Sequence, residues 1–598
     1  MIRLVIVVFS LSLFYPAQAQ FGPKAYETSF SQPVKLKGKD KLKATEIIAE
    51  DESRIYLIIS ESRDSYSQFA GVVKLQSIRK SDLEPIRTIS LNQTMEKTSS
   101  YRLREVLKTS SGFLVVSEKT NQGVVSGYAS QIDFDLNVIS APQKVYEIET
   151  NRSDYRVIQR PKANDFIVLK QIYDEVGMPI KITYEVYSEH VKSIRKGEAQ
   201  LGLTYGRTSI FSSRSSESVL QKLKYSANGE LILMTWVKSV ADNQKGDYYL
   251  LFINPLTDGI DKRKVFGEGE TYIGEFTILD MGEELILTGL YSDDKSTFHS
   301  FWGNSSSTPS VNSFNGTFLQ RYHSSSHNRI AAFQSPFDQA TLNRLAMTNP
   351  AKKIGILFSK KSREKDQDVV SGNYEIIRVI YSPDRQIATF YYEYIYNSSH
   401  TTSSYSSTGS MYMNSTTTYT SKRGNLFTYQ LSLENGEMNW LNTVRKYASF
   451  SSSSSSIWDV ETMFVVPRLE GDMVFYYSSR IFNEKDESDL TGMTIKTKNF
   501  DQDYLMTSID SETGKAATQL PRLVPKRLKP YEKLQLDRSF VSEVDRACYT
   551  INSQYQYRPE LGVISCVTMP FCFAGYFFYA FTKKNGFNET YTIGKVTF

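Results

Sequence analysis

The 598-residue sequence predicts an all-β protein: a β-propeller of seven to eight four-stranded blades, with one short helix and long Ser/Thr-rich loops. Three observations carry that expectation. A half-apolar strand, a polar turn and a densely apolar strand recur together along the chain. A second apolar hairpin falls between successive copies of that unit. Aromatic side chains are abundant, with 39 Tyr and 34 Phe, too many for a chain that never buries them.

The first repeated element spans 44–60 (ATEIIAEDESRIYLIIS) and returns at 103–117, 155–170, 220–237, 276–291, 375–394, 463–477 and 548–567. Its turns are rich in Gly, Asn, Asp and Ser, as hairpins require. Its second strands begin near 55, 113, 166, 231, 285, 387, 473 and 561. They are β-branched and aromatic with few charges, the pattern of strands buried on both faces. The first five of those starts lie 58, 53, 65 and 54 residues apart. Four strands at such a period make a propeller blade. The second element, at 131–145, 249–266, 427–444 and 505–520, supplies the outer hairpin of the blades, with turns at Asn435-Gly436 and Thr513-Gly514. A string of β-sandwiches would need linkers between domains, and none is legible over 45–300.

Insertions account for the wider spacings. Residues 337–347 (FDQATLNRLAM) place Phe337, Leu342, Leu345 and Ala346 on one side of a short helix that Asn349-Pro350 ends. Residues 397–423 and 449–456 are Ser/Thr-rich and predict hairpin tips or loops. Residues 562–581 carry no charge, but Pro570 divides them into two buried strands rather than a membrane span. A last strand over 590–598 closes the ring with residues near the N-terminus.

Residues 1–19 have the form of a cleaved export signal: Arg3, an apolar run from Leu4 to Tyr15, then Ala17-Gln18-Ala19. The expected organisation is therefore a signal peptide over 1–19, an extended basic arm over 20–44 and the propeller over 45–598. The expected location is periplasmic, cell-surface or secreted. Three cysteines, Cys548, Cys566 and Cys572, allow at most one disulfide and leave its pairing open. Packing must hold the fold.

The balance of 70 Lys+Arg against 65 Asp+Glu argues against a nucleic-acid partner. A mean hydropathy below zero argues against a polytopic membrane protein, and no stable transmembrane segment is expected. Nucleophile-elbow, zinc-protease, P-loop and EF-hand motifs are missing, so neither cofactor nor catalytic constellation is expected. His323 and His327, spaced i, i+4, are the one metal candidate, set against two exposed histidines in a Ser-rich turn. Lys35, Lys37 and Lys39, continued by Lys41 and Lys43, alternate so that an extended chain shows them on one side to an anionic ligand. Trp302 and Trp458 border Ser-rich segments and are candidate stacking platforms for sugars. Trp236 and Trp440 fall within repeated strands and read as structural. Together these features describe an exported, non-catalytic binding or scaffold module for a protein or a glycan. A glycan hydrolase or lyase, or an envelope-associated component, is the alternative.

Tyr374–Ile380 (YEIIRVI), Phe427–Leu431 (FTYQL) and Glu434–Trp440 (ENGEMNW) follow one another in an order that resembles large exported propeller-like proteins of Bacteroidetes-type bacteria. The resemblance covers about a third of the chain. It implies a periplasmic or surface location in a Gram-negative cell and brings no catalytic residue with it.

Overall fold

The computed structural model describes residues 27–32, 34–35, 43–63, 69–91, 101–149, 153–160, 164–173, 179–201, 223–226, 228–238, 246–255, 257, 259–266, 271–292, 313–347, 370–371, 374–382, 386–405, 413–444, 446, 448–452, 463–466, 471–476, 505–519, 532–541, 547–556 and 590–597. Strands in these residues fall into antiparallel units, each with its first to fourth strand in chain order. The units occupy 43–90, 101–149, 153–200, 224–264, 272–336, 374–444 and 463–519. An eighth unit takes its first three strands from 532–597 and its fourth from Glu27–Phe30. Glu27 to Phe30 pair antiparallel with Thr597 to Gly594, so the two ends of the chain share one sheet and close the ring. First strands lie against one another between the eighth and first, first and second, fifth and sixth, and sixth and seventh units, which makes them the innermost strands. This is a β-propeller.

Six four-stranded blades are separate sheets, where seven to eight were expected. The difference has a local cause. The first two units are joined into one eight-stranded sheet by the single pair Phe69↔Leu103.

The burial pattern accounts for the sequence pattern. Second strands are packed on both faces: Leu285 to Ser292 are buried without interruption, as are Gly112 to Glu118. Fourth strands are more exposed, as in Arg329–Pro336, where no residue is fully buried, because one edge meets water. The hydrophobic core therefore lies between units. One cluster of Tyr56, Ile58, Phe113, Val115 and Leu136 joins the first two. Between the fifth and sixth, Ile286, Leu290 and Leu319 share a cluster with two cross-strand stacks of the sixth unit, Phe427 on Tyr392 at 4.5 Å and Phe390 on Tyr429 at 4.9 Å.

The expected helix is present as α1 (Gln339–Met347), with Leu342 and Leu345 buried and an Asp338 carboxylate accepting the Thr341 N–H at its start. The Ser/Thr-rich stretch around 397–423 is a hairpin, formed by the long strands Ile387–Tyr405 and Met413–Ser432. At the C-terminus the register differs from expectation. Cys548 lies in the second strand of its unit, Ala547–Gln556, which pairs on both sides. The second strand expected near 561, the apolar stretch 562–581, and Cys566 and Cys572 lie outside the described residues.

Candidate functional site

Alternation of strand direction gives the ring two unlike ends. Turns joining first to second and third to fourth strands lie at one end. Connections between second and third strands, and between units, lie at the other. The turns are short. Six of the third-to-fourth turns repeat one feature, a residue with positive φ: Leu83 at 60°, Leu136 at 62°, Val191 at 60°, His327 at 55°, Gly436 at 73° and Gly514 at 65°. Each donates its N–H to a carbonyl three or four residues earlier, as Leu136 to Asp133 and His327 to His323.

From the second unit onward this residue is a knob set into the unit before. Leu136 and Val191 enter the clusters shared with the first and second units. Where the knob is glycine, the neighbour fills the space: a Cβ on Gly436 would lie 2.4 Å from Cβ of Phe333, and one on Gly514 2.4 Å from Cδ2 of Trp440. Side chains of the preceding unit also grip the backbone of the turn. Arg54 Nη1 and Tyr56 Oη each donate to the Phe134 carbonyl at 3.1 Å. Gln131 donates to the Glu189 carbonyl at 2.6 Å, Ser335 to that of Gly436 at 2.9 Å, and Asn442 to that of Gly514 at 2.6 Å. Gln430 and Trp440 both donate to Ser511 O, at 3.0 and 3.3 Å. These bonds satisfy carbonyls that a packed turn would otherwise hide from water. They make this end a closed, rigid face.

At the junction of the fourth and fifth units the knob is charged. His327 Nε2 lies 3.0 Å from Glu230 Oε2, and Nδ1 lies 3.0 Å from Asp261 Oδ2. Its ring stacks on Phe252 at 4.0 Å and 8°. Arg263 Nη2 pairs with Asp261 at 2.7 Å and donates to Ser326 O at 3.2 Å. Burial opposes the charged ring, but the hydrogen bonds and charges of Glu230 and Asp261 outweigh it and raise the imidazole pKa. His327 is thus a buried interface group, not the exposed residue expected. It does not join His323, which is exposed, in a metal site. A metal ligand needs a free ring nitrogen aimed at the ion, and both nitrogens of His327 face carboxylates.

The other expected site residues fall in sequence between described strands or in the arm. Trp302 falls in the connection from Glu284–Ser292 to Gly316–His323, and Trp458 in the connection between the sixth and seventh units; both lie outside the described residues. So do Lys37 and Lys39. Lys35 belongs to the short strand Val34–Lys35, where its backbone pairs with Thr590. Trp440 is buried in the seam between the sixth and seventh units, in keeping with its structural reading.

One feature of the inner wall escaped sequence reasoning. Five first strands bulge at the same level, between Ala44 and Glu46, Leu103 and Glu105, Ile273 and Phe276, Ile376 and Arg378, and Leu536 and Arg538. A bulge bends its strand and re-aims a side chain. In the second unit the extra residue is Arg104. Its guanidinium lies 4.9 Å from the Tyr155 ring centroid, and its Nε is 3.7 Å from Glu118. Tyr146 donates to the same Glu118 at 2.6 Å, and burial first, then that carboxylate, pushes the phenol pKa well up. Nearby Arg156 is held below the usual guanidinium range by burial, against the favourable charge of Glu105. The result is a polar, ion-paired seam between the second and third units.

No protein-family model matches the chain, and no curated protein does. Among solved structures it is similar to the WD40 domain of SCAP from fission yeast, at 7% identity over 96% of this chain and 98% of that one, with a TM-score of 0.33. An uncharacterised protein of Listeria monocytogenes is matched at 9% identity over 70% and 82%, TM-score 0.28. A polysaccharide lyase is matched at 7% identity over 82% and 89%, TM-score 0.32. Scores this low transfer no function, and the propeller rests on the sheet order and ring closure described above. Among the described residues, no helix is long and apolar enough to cross a membrane.

Proposed function

We propose that this chain is an exported, non-catalytic propeller that binds a glycan or a protein through the end of the ring opposite the gripped turns. One observation supports the reading above others: the inequality of the two ends. At one end the described turns are short, and five of the third-to-fourth turns are held by the unit before them. At the other, the connections run long, over 202–222, 293–312, 348–369 and 477–504. Binding residues concentrate on long loops carried by a rigid scaffold, and Trp302 belongs to such a segment. The mature chain begins at Gln20, and the arm over 20–44 contains the strand Glu27–Phe30 that closes the ring.

The test combines three measurements on the purified chain. N-terminal sequencing of the exported protein reads the start. A glycan array and titration calorimetry read binding for the native protein and for Trp302→Ala and Trp458→Ala. A stacked Trp that anchors a ligand costs about 2 kcal/mol or more when truncated, roughly a thirtyfold loss of affinity. Saturable binding weakened by one of these variants, with the bound polysaccharide left at full length, is the expected result. Shortened or unsaturated products would overturn the non-catalytic reading.

A further inference from the structure

We propose that the edge from Ile395 to Tyr405 docks a second copy of this chain, two ribbons pairing antiparallel across a two-fold axis. The strand Ile387–Tyr405 is paired on both sides only as far as Tyr394, which faces Tyr374. From Ile395 onward it pairs, among the described residues, with Met413–Ser432 alone, ending at Tyr405↔Met413. Eleven residues at about 3.4 Å each give an edge of roughly 35 Å. Along it the backbone presents N–H and C=O groups that require partners.

This edge lies on the first-strand, inner side of the sixth unit, and its chemistry differs from that of the outer edges of the first four units. An exposed strand edge invites a second strand, and proteins blunt it with charges or proline. The fourth strands of the first four units do so: Pro85 and Arg87 in the first, Lys144 in the second, Arg195 and Lys196 in the third, Lys262 to Lys264 in the fourth; those of the sixth and seventh, Met438–Val444 and Ala516–Gln519, hold neither charge nor proline but are only seven and four residues long. Residues 395–405 (IYNSSHTTSSY) hold no Pro, Asp, Glu, Lys or Arg. Such an edge is competent for strand addition.

The ribbon itself indicates which strand is added. On its opposite side, Ala448–Ser452 (ASFSS) pairs antiparallel with Tyr419 to Arg423. This hairpin thus already accepts a Ser-rich strand from its own chain. A second copy offers the same kind of strand at the unblunted edge. Antiparallel self-pairing sets Ser and Thr against Ser and Thr without opposing charges, and hydroxyl pairs across the strands stabilise such contacts. The ribbon contains one already, Thr401 to Thr417 at 3.0 Å. A two-fold axis makes the contact isologous and therefore closed at the dimer.

Sedimentation velocity and hydrogen exchange on the full chain test this over a wide range of concentration. The expected result is a reversible dimer, with protection of the 395–405 amides that rises with concentration. The double variant Thr401→Lys/Ser403→Lys places charges along the edge. It should weaken association by at least about tenfold, equivalent to 1.4 kcal/mol, and leave the melting temperature of the ring unchanged. A monomer at every concentration overturns the proposal, as does a dimer indifferent to the lysines. Protection independent of concentration also overturns it, since the edge would then be covered within one chain. The exchange measurement needs no variant and decides the matter even if the lysines disorder the ribbon.

Discussion

His327 offers the sharpest test of how the units are held together. The perturbation is His327→Asn. Asparagine tolerates the left-handed backbone found at this position, so the turn survives while the charge and the stacking on Phe252 are lost. The side chain of Glu230 is 12% exposed and Asp261 34%. Asp261 keeps Arg263 and its share of solvent, and therefore loses little. Glu230 is left nearly buried without its cationic partner. A hydrogen bond to a charged group contributes about 1.5–3 kcal/mol, and an orphaned buried charge costs more. The expected loss is about 2–4 kcal/mol for the seam between the fourth and fifth units. The pH dependence follows from the raised pKa. The stabilisation is fully present below the ordinary histidine value of about 6.5 and is lost as pH rises through the higher folded value. Urea unfolding from about pH 6 to pH 9, with hydrogen exchange of Leu231–Lys238 and Gly316–His323 as local readout, measures the difference between native protein and variant. That difference should be largest near pH 6 and shrink by up to about 1.4 kcal/mol per pH unit between the ordinary and the raised value, where the unfolded chain has released the proton that the folded ring still holds. A difference that is constant across this range would refute the reasoning, because the pair would then act by shape and not by charge.

Three further outcomes follow from the same contacts. Gly514→Ala must place a Cβ 2.4 Å from Trp440 at a φ of 65°; a destabilisation of about 1–3 kcal/mol from backbone strain alone, increased by the clash, should appear as a lower melting temperature and altered tryptophan fluorescence. Lys446 and Glu393 form a buried ion pair, and burial holds the ammonium pKa well below its ordinary value. Lys446→Ala should cost about 3–5 kcal/mol by stranding Glu393, whereas Lys446→Met with Glu393→Leu should recover most of the loss in a denaturation assay. Removing residues 20–32 deletes the strand that pairs with Gly594 to Thr597; proteolysis should then release the C-terminal unit first, and equal resistance would deny that this strand closes the ring.

The sequence discloses the strands more fully than the seams. Second strands such as Ile286 to Leu290 announce themselves because both faces are buried and nearly every position is apolar. The outer hairpin turns at Gly436 and Gly514 are legible because glycine marks a positive φ. The hairpin around Leu136 is legible as the apolar element at 131–145 but not by its turn residue, and the turns at Val191 and His327 are not legible, since residues other than glycine seldom adopt that backbone. Here burial between units compensates the strain, and no local pattern records it. Spacing from one third-to-fourth turn to the next, 53 residues from Leu83 to Leu136 and 55 to Val191, is the signal that could have aligned them. His327 was misplaced for a related reason. Its neighbours Ser324, Ser325 and Ser326 read as solvent loop, while Glu230 and Asp261 are distant in sequence and meet it only when two units pack. The bulge that selects Arg104 is likewise invisible, because an extra residue in a strand shifts the alternation by one without changing composition. Trp302 and Trp458 are legible only as aromatics in polar company.

The knobs also bear on how a repeat protein keeps its units in order. If every turn carried the same residue, any unit would dock equally well on any other, and shifted rings would compete with the native one. Here the knob and its socket differ in residue type across five seams: Leu136 beside Tyr56 and Phe113, Val191 beside Phe166 and Tyr187, His327 between two carboxylates, Gly436 under Phe333 and Gly514 under Trp440. Leucine placed against Phe333 would overlap it, and leucine between Glu230 and Asp261 would leave two carboxylates without their shared cation. Each wrong pairing thus carries a steric or electrostatic cost of kcal/mol size, comparable to the margin that separates folded from misfolded states. The gripped turns therefore do more than close one end. Their differences specify which unit follows which, and that order fixes the arrangement of the long connections at the opposite end.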